Sequence, residues 1–162
     1  MSRIKPVLQH DETDCDPACV SIILQYYGKT IPLRKIRAVA GTDKIGTSGF
    51  GISKACETFG LDCEGFMAPQ KEKISEIIFP AIFHIKTNVE HYVVVYKVTK
   101  NKVFISDPAI GLVKEDIKSF LEKWSGVFFF SFWKMIWTLK NFLILLILHV
   151  CIDFFTDFSK IV

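Results

Sequence analysis

Apolar positions change their spacing along the chain, and the changes mark its elements. From residue 15 to 27, Ala18, Ile22 and Tyr26 run beside Cys19, Ile23 and Tyr27 as one helical stripe, which Gly28 ends. Thr13 or Asp14 suits the cap of that helix, and Pro17 is tolerated in its first turn. After the extended link Ile31-Pro32-Leu33, shorter helical patterns cover residues 34–39, 52–59 (ended by Gly60), 73–78 (before Pro80) and 116–124, with Asp116 placed to cap the last. Strand patterns cover 61–66, 81–85, 91–98, 102–107 and 126–132. Residues 41–51 read as a loop and Asp107-Pro108-Ala109-Ile110-Gly111 as a turn.

Half of the 162 residues are apolar, enough for one domain of about 130 residues with its own core. The net charge of +3 is mild, and no basic cluster interleaved with aromatics points to nucleic acid. Arg34, Lys35 and Arg37 read as a solvated helix face rather than a docking patch for acidic partners. Residues 1–5 are too short and too polar for a signal peptide, so the start is read as cytosolic. The glycines of the 41–51 loop do not spell a phosphate cradle, so no ATP site is expected in this chain. Cofactors are expected to be none.

The five cysteines, Cys15, Cys19, Cys56, Cys63 and Cys151, are odd in number and include no C-x-x-C pair, which argues against a disulfide framework or a zinc site. Cys19 and Cys56 fall on apolar stripes and read as small core residues. Cys15 differs. It stands at the start of the first helix, where free N–H groups and the positive end of the helix dipole favour a thiolate. A thiolate nucleophile needs a histidine to take and return a proton, a group to orient that histidine, and donors at the oxyanion. His91 opens one strand and Asp107 closes the next, while Gln9, just upstream of Cys15, carries an amide N–H for the oxyanion. His84, in an apolar run, reads as a satisfied core or edge residue, and His10 as exposed. For Asp107 the competing reading is a turn-initiating carboxylate.

The spacing of His91 and Asp107 makes a geometric demand. An odd-length loop centred on Thr99 sets them directly opposite, roughly 5 Å apart at Cβ. A two-residue turn at Lys100-Asn101 sends them to opposite faces, so that turn requires a β-bulge.

Gln9-x-Asp11-x-x-Asp14-Cys15-x-Pro17-Ala18-Cys19, then His91-Tyr92-Val93-Val94, then Asp107-Pro108 resemble the C39 cysteine peptidase domain that begins bacterial peptide-exporting ABC transporters. Tyr26-Tyr27-Gly28, the run from Gly46 to Ile52, Phe59-Gly60-Leu61 and Trp124-Ser125-Gly126-Val127 extend the resemblance over residues 4 to 130. It implies an α+β, papain-like fold with the nucleophile helix packed on an antiparallel sheet. It assigns Cys15 as nucleophile, His91 as general base and acid, Asp107 as its orienter and Gln9 to the oxyanion hole, with Gly46 to Phe50 as a wall of the substrate cleft, although those residues read equally well as a helix-entry loop. The implied substrate is the leader of a secreted ribosomal peptide, such as a bacteriocin or signalling peptide, cut after a Gly-Gly or Gly-Ala pair. The implied partners are the membrane and nucleotide-binding domains of an ABC transporter, and the implied location is the cytoplasmic face of the bacterial membrane. One position departs from the family. Gly usually follows the cysteine, and here it is Asp16. If that position needs a positive φ, Asp costs on the order of 1 kcal/mol, and its carboxylate raises the Cys15 pKa. The alternative function is therefore a catalytically impaired domain that binds the leader and recruits it for export.

Composition shifts after the last strand, dividing the chain into a peptidase-like domain, 1–132, and a hydrophobic tail, 133–162. Residues 127–162 hold ten of the 22 aromatics, but the apolar run from Phe142 to Ile152 falls short of the about 20 residues a span needs. Extending it upstream takes in Lys140, at about 2.5 to 3.5 kcal/mol mid-membrane. The tail reads as an incomplete or marginal membrane segment, with Trp133, Lys134, Trp137 and Lys140 near one interface. A chain like the front of a transporter that stops early is read as a fragment, a natural truncation or a tethered peptidase.

Overall fold

The computed structural model describes residues 4–44, 46–87, 89–133 and 159–160. After a 3-10 turn at Glu12–Asp14, three helices follow: α1 (Cys15–Tyr26), α2 (Leu33–Ala40) and α3 (Gly49–Thr58). Strands β1 (Leu61–Met67), β2 (Ala81–Lys86), β3 (Glu90–Val98), β4 (Lys102–Asp107) and β5 (Gly111–Asp116) come next, then α4 (Ile117–Lys123), β6 (Trp124–Trp133) and the two-residue β7 (Ser159–Lys160). The strands form one antiparallel sheet in the order β5-β4-β3-β2-β6-β1-β7. This is the expected α+β architecture, with the first helix packed on β3.

The sheet is buried on both faces in its middle, which explains the unbroken Val93-Val94-Val95 run. Ile82, Val94 and Phe129 pack with Cys19, Ile22 and Ile23 of α1, Ile36 of α2 and Ile52 and Cys56 of α3. Phe83, Val93, Val95 and Phe128 point the other way, into a second core with Ile74, Phe120 and Trp124. Alternation on each strand thus feeds two cores. Cys15, Cys19, Cys56 and Cys63 are free and buried.

Three elements differ from expectation. Residues 49–51, expected in the loop, are the first turn of α3, because the Ser48 hydroxyl accepts the Gly51 N–H at 3.1 Å and caps the helix there. Gly51 also lets α3 approach α2: a Cβ at this position would lie 2.2 Å from the Ala40 carbonyl oxygen. The 73–78 helix is instead a 3-10 turn at Lys71–Glu76. β5 was not expected as a strand. It is an edge strand with Leu112 and Lys114 exposed, and it owes its conformation to pairing along β4 rather than to its own pattern.

Asp116 caps α4 through the Lys118 N–H at 3.0 Å, as expected, and β6 follows that helix without a loop. Trp133, expected in the tail, is the last residue of β6 and pairs with Leu61. Ser159 and Lys160, also expected in the tail, instead pair with Met67 and Phe66 as β7, and the rest of the expected membrane segment, 134–158 and 161–162, lies outside the described residues. Among the described residues, no helix is long and apolar enough to cross a membrane.

Candidate active site

Cys15 is the first residue of α1, so its N–H has no intrahelical partner. Asp14 occupies the cap position but makes no side-chain cap bond to α1. Its carboxylate, 1% exposed, instead pairs with Arg37 of α2 and accepts the Asp11 N–H at 3.3 Å. Arg37 also reaches Asp11 at 3.4 Å. Arg37 therefore leaves the solvated face on which Arg34 and Lys35 remain, and ties α2 to the start of α1. The sequence offered no signal for this beyond opposite charges far apart in the chain.

The His91–Asp107 pair forms by the bulge route. Val98 pairs with Val103, and the Thr99 N–H to Lys102 carbonyl bond of 2.8 Å closes the turn over Lys100 and Asn101, as for a two-residue connection. The register then shifts by one between Val95 and Lys97, so that Val95 faces Ile105 and Val94 faces Ser106. The extra residue, Tyr96, returns His91 and Asp107 to a common face. They are diagonal rather than directly opposite, and the side chains close the gap: His91 Nε2 lies 2.8 Å from Asp107 Oδ1. That bond leaves Nδ1 as the nitrogen available to a thiol. The same carboxylate oxygen accepts the Ala109 N–H at 2.8 Å, so the turn-initiating role and the histidine contact coexist. Burial pushes the Asp107 carboxyl up, but the bonds from His91 and Ala109 outweigh it and hold it below its ordinary value.

Beside His91, the Tyr92 backbone N–H faces the Cys15 sulfur and favours its anion. The opposing influences are larger. Burial first, and the Asp16 carboxylate second, push the thiol up to about 12. Cys15 donates to Asp16 Oδ2 at 3.6 Å, and among the described residues no hydrogen bond joins it to His91. The electrostatic effect expected of Asp16 is present, while the backbone strain is not: Asp16 lies within α1, and among the described residues no non-glycine has a positive φ. Gln9 is held next to the Asp107-Pro108 turn by its N–H bond to the Pro108 carbonyl at 2.9 Å. Its side-chain Oε1 is buried without a partner.

His84 makes a histidine–hydroxyl contact, Nδ1 to Ser125 Oγ at 3.0 Å. Ser125 Oγ already donates to the His84 carbonyl and accepts the Val127 N–H, so its hydroxyl is committed to the bend in β6 and is no nucleophile. His10 is exposed. Among the described residues no cluster of three or more His, Cys, Asp or Glu side chains is arranged to hold a metal.

A buried cysteine at a helix start, beside a histidine–carboxylate pair on an antiparallel sheet, defines the class of papain-like thiol hydrolases. Residues 3–133 match the model of the peptidase C39 family. The lactococcin-G-processing and transport ATP-binding protein LagD of Lactococcus lactis is 41% identical over 129 residues, covering 78% of this chain and 18% of its own length. The pediocin PA-1 transport/processing ATP-binding protein PedD of Pediococcus acidilactici is 34% identical, covering 74% and 17%. The crystal structure of a double-glycine-motif protease from a PCAT transporter, in complex with the leader peptide, matches with a TM-score of 0.73 at 29% identity, covering 80% of this chain and 91% of that one. The peptidase domain of Streptococcus ComA, a bifunctional ABC transporter, matches with a TM-score of 0.74 at 26% identity, covering 80% and 98%. This chain belongs to the peptidase C39 family. It spans under a fifth of the length of the curated relatives it matches.

Proposed function

We propose that this chain is a cysteine endopeptidase that removes the double-glycine-type leader of a ribosomally made bacteriocin or signalling peptide. The observation that carries the reading is the 2.8 Å bond between His91 of β3 and Asp107 of β4, beside the Tyr92 N–H that faces Cys15. A solved relative bound to a leader peptide supports the substrate class. His91 Nδ1 takes the Cys15 proton, and the thiolate attacks the carbonyl after the second small residue. The Cys15 N–H and the Gln9 amide hold the oxyanion. His91, kept in the Nε2–H tautomer by Asp107, then protonates the leaving amine, and water releases the acyl-enzyme. The relatives' names, which join processing to transport and ATP binding, support coupling to ABC-transporter export with ATP bound by a partner domain; in that setting the domain works on the cytoplasmic face of the membrane.

A second reading has its own observation. A Cys15 thiol hydrogen-bonded to Asp16 and pushed up to about 12 is poor nucleophile material at neutral pH, and favours a domain that binds the leader without cutting it. One assay separates the two. The full chain and its Cys15→Ala variant are incubated with a synthetic leader ending in Gly-Gly followed by several residues, and the products are weighed by mass spectrometry. Cleavage after the second glycine, absent in Cys15→Ala, is the expected result. A leader that binds but stays whole with the unsubstituted chain across the acid and neutral range rejects the peptidase reading.

A further inference from the structure

Asp16 is an unusual neighbour for a nucleophile. It is 3% exposed, its Oδ2 accepts from the Cys15 sulfur at 3.6 Å, and its Oδ1 is buried with no partner. No lysine or arginine bonds it among the described residues. The groups that face it come from three sides. Cys15 and Cys19 belong to its own helix, and its charge acts on both. From β3, His91 supplies a positive influence, and the Tyr92 phenol feels the carboxylate as a like charge. From the loop before α3 comes the Thr47 backbone N–H, with Gly46 so close that a Cβ there would lie 3.8 Å from Oδ2. Beyond His91 stands Asp107, which is committed to it at 2.8 Å. An ionised carboxylate in this position has one strong local option, which is to keep the thiol proton in place.

We propose that Asp16 is a proton gate on the nucleophile: ionised, it holds Cys15 as a thiol, and protonated, it donates to the thiolate and lets the Cys15–His91 ion pair form. This rests on the peptidase reading of the site and adds its regulation. The proton balance is explicit. In the closed state Cys15 is a thiol, Asp16 a carboxylate and His91 neutral. In the open state Cys15 is a thiolate, Asp16 a carboxylic acid and His91 an imidazolium. Opening moves the thiol proton to His91 and takes one proton from solvent onto Asp16. The site therefore opens as pH falls, opposite to an ordinary thiol, whose thiolate fraction falls about tenfold per pH unit below its pKa. Burial raises the Asp16 carboxyl to about 6, with bonds from Cys15 and Thr47 opposing, which puts the transition in mildly acidic solution.

The test is the rate at which iodoacetamide alkylates the full chain between about pH 5 and about pH 8, read by the mass of the peptide that carries Cys15. The unsubstituted chain is expected to label faster as pH falls. Asp16→Asn, which keeps shape and supplies an amide donor, is expected to label at least about tenfold faster at neutral pH and to lose the acid rise. Asp16→Gly serves as the second variant should the amide disturb packing, and His91→Ala is expected to abolish acid-side labelling in every background. Labelling that rises with pH in the unsubstituted chain, with both Asp16 variants unchanged from it, overturns the gate. An acid-rising profile that Asp16→Asn flattens, without leader cleavage by any variant, keeps the gate and rejects only the peptidase reading.

Discussion

Replacing Asp107 by Asn isolates one quantity, the charge behind His91. Asp107 Oδ1 accepts both the His91 Nε2–H and the Ala109 N–H, each at 2.8 Å. An amide oxygen in the same place accepts both, so the turn and the histidine tautomer survive while the negative charge is lost. At about 4 Å between charge centres and an effective dielectric near 20, the carboxylate–imidazolium attraction is about 4 kcal/mol. Both side chains are about 15% exposed, so some of that is already screened. About 2 to 3 kcal/mol is left for the imidazolium formed on proton transfer, a roughly 30- to 160-fold loss in kcat/KM with KM little changed. Steady-state cleavage of a Gly-Gly leader by the full chain measures it, with far-ultraviolet circular dichroism as the folding control. Activity within about threefold of the unsubstituted chain refutes the idea that the Asp107 charge stabilises the imidazolium. Asp107→Ala, which also strands the Nε2–H and the Ala109 N–H, is expected to lose more.

Other substitutions test the scaffold around the site. Gly51→Ala forces a methyl group against the Ala40 carbonyl and is expected to destabilise the fold by about 1 to 3 kcal/mol in urea unfolding; an unchanged midpoint shows that α2 and α3 part freely. Arg37→Ala leaves the Asp14 carboxylate buried without its guanidinium, for an expected loss of about 2 kcal/mol, reduced from a fully buried pair because Arg37 is about a third exposed. A loss below about 0.5 kcal/mol assigns Arg37 to the surface after all. Asp16 also bears on stability. Its folded-state pKa, near 6, lies above the unfolded value, so the folded chain binds the extra proton and stability falls as pH rises from about 4 through about 6. Asp16→Asn is therefore expected to be the more stable protein at pH 8, by on the order of 2 kcal/mol, with the difference shrinking toward pH 5. Thermal unfolding at the two pH values measures it, and a difference independent of pH contradicts the assignment.

Much of the site was legible because its residues obey local rules. Cys15 announces itself by standing at a helix start, and α1 is recognisable from a single stripe ended by Gly28, whose φ is 81°. His91 and Asp107 open and close adjacent strands, and parity arithmetic already required an odd loop or a bulge. It could not choose between them. The choice of Tyr96 as the extra residue depends on which pairing fills both cores with Val93, Val94 and Val95, which is a property of the assembled sheet. β5 escaped notice for a related reason, since an edge strand with one solvated face needs little apolar alternation once β4 offers its hydrogen bonds.

The amino-acid order by itself determined the helical front, the strand-rich remainder, the cysteine at the first helix start and the presence of an acid where the family usually has glycine. Those features depend on neighbours within a turn of helix or a hairpin, where periodicity, capping and turn chemistry suffice. Only the tertiary structure decided what that acid does. Asp16 could have turned to solvent. Instead the packing of α1 on β3 buries it against the sulfur with one oxygen unpartnered, and the same packing sends Asp14 to Arg37 rather than to its own helix end. Burial and charge pairing are sums over groups far apart in the chain, so a local pattern names the residues while the fold sets their protonation.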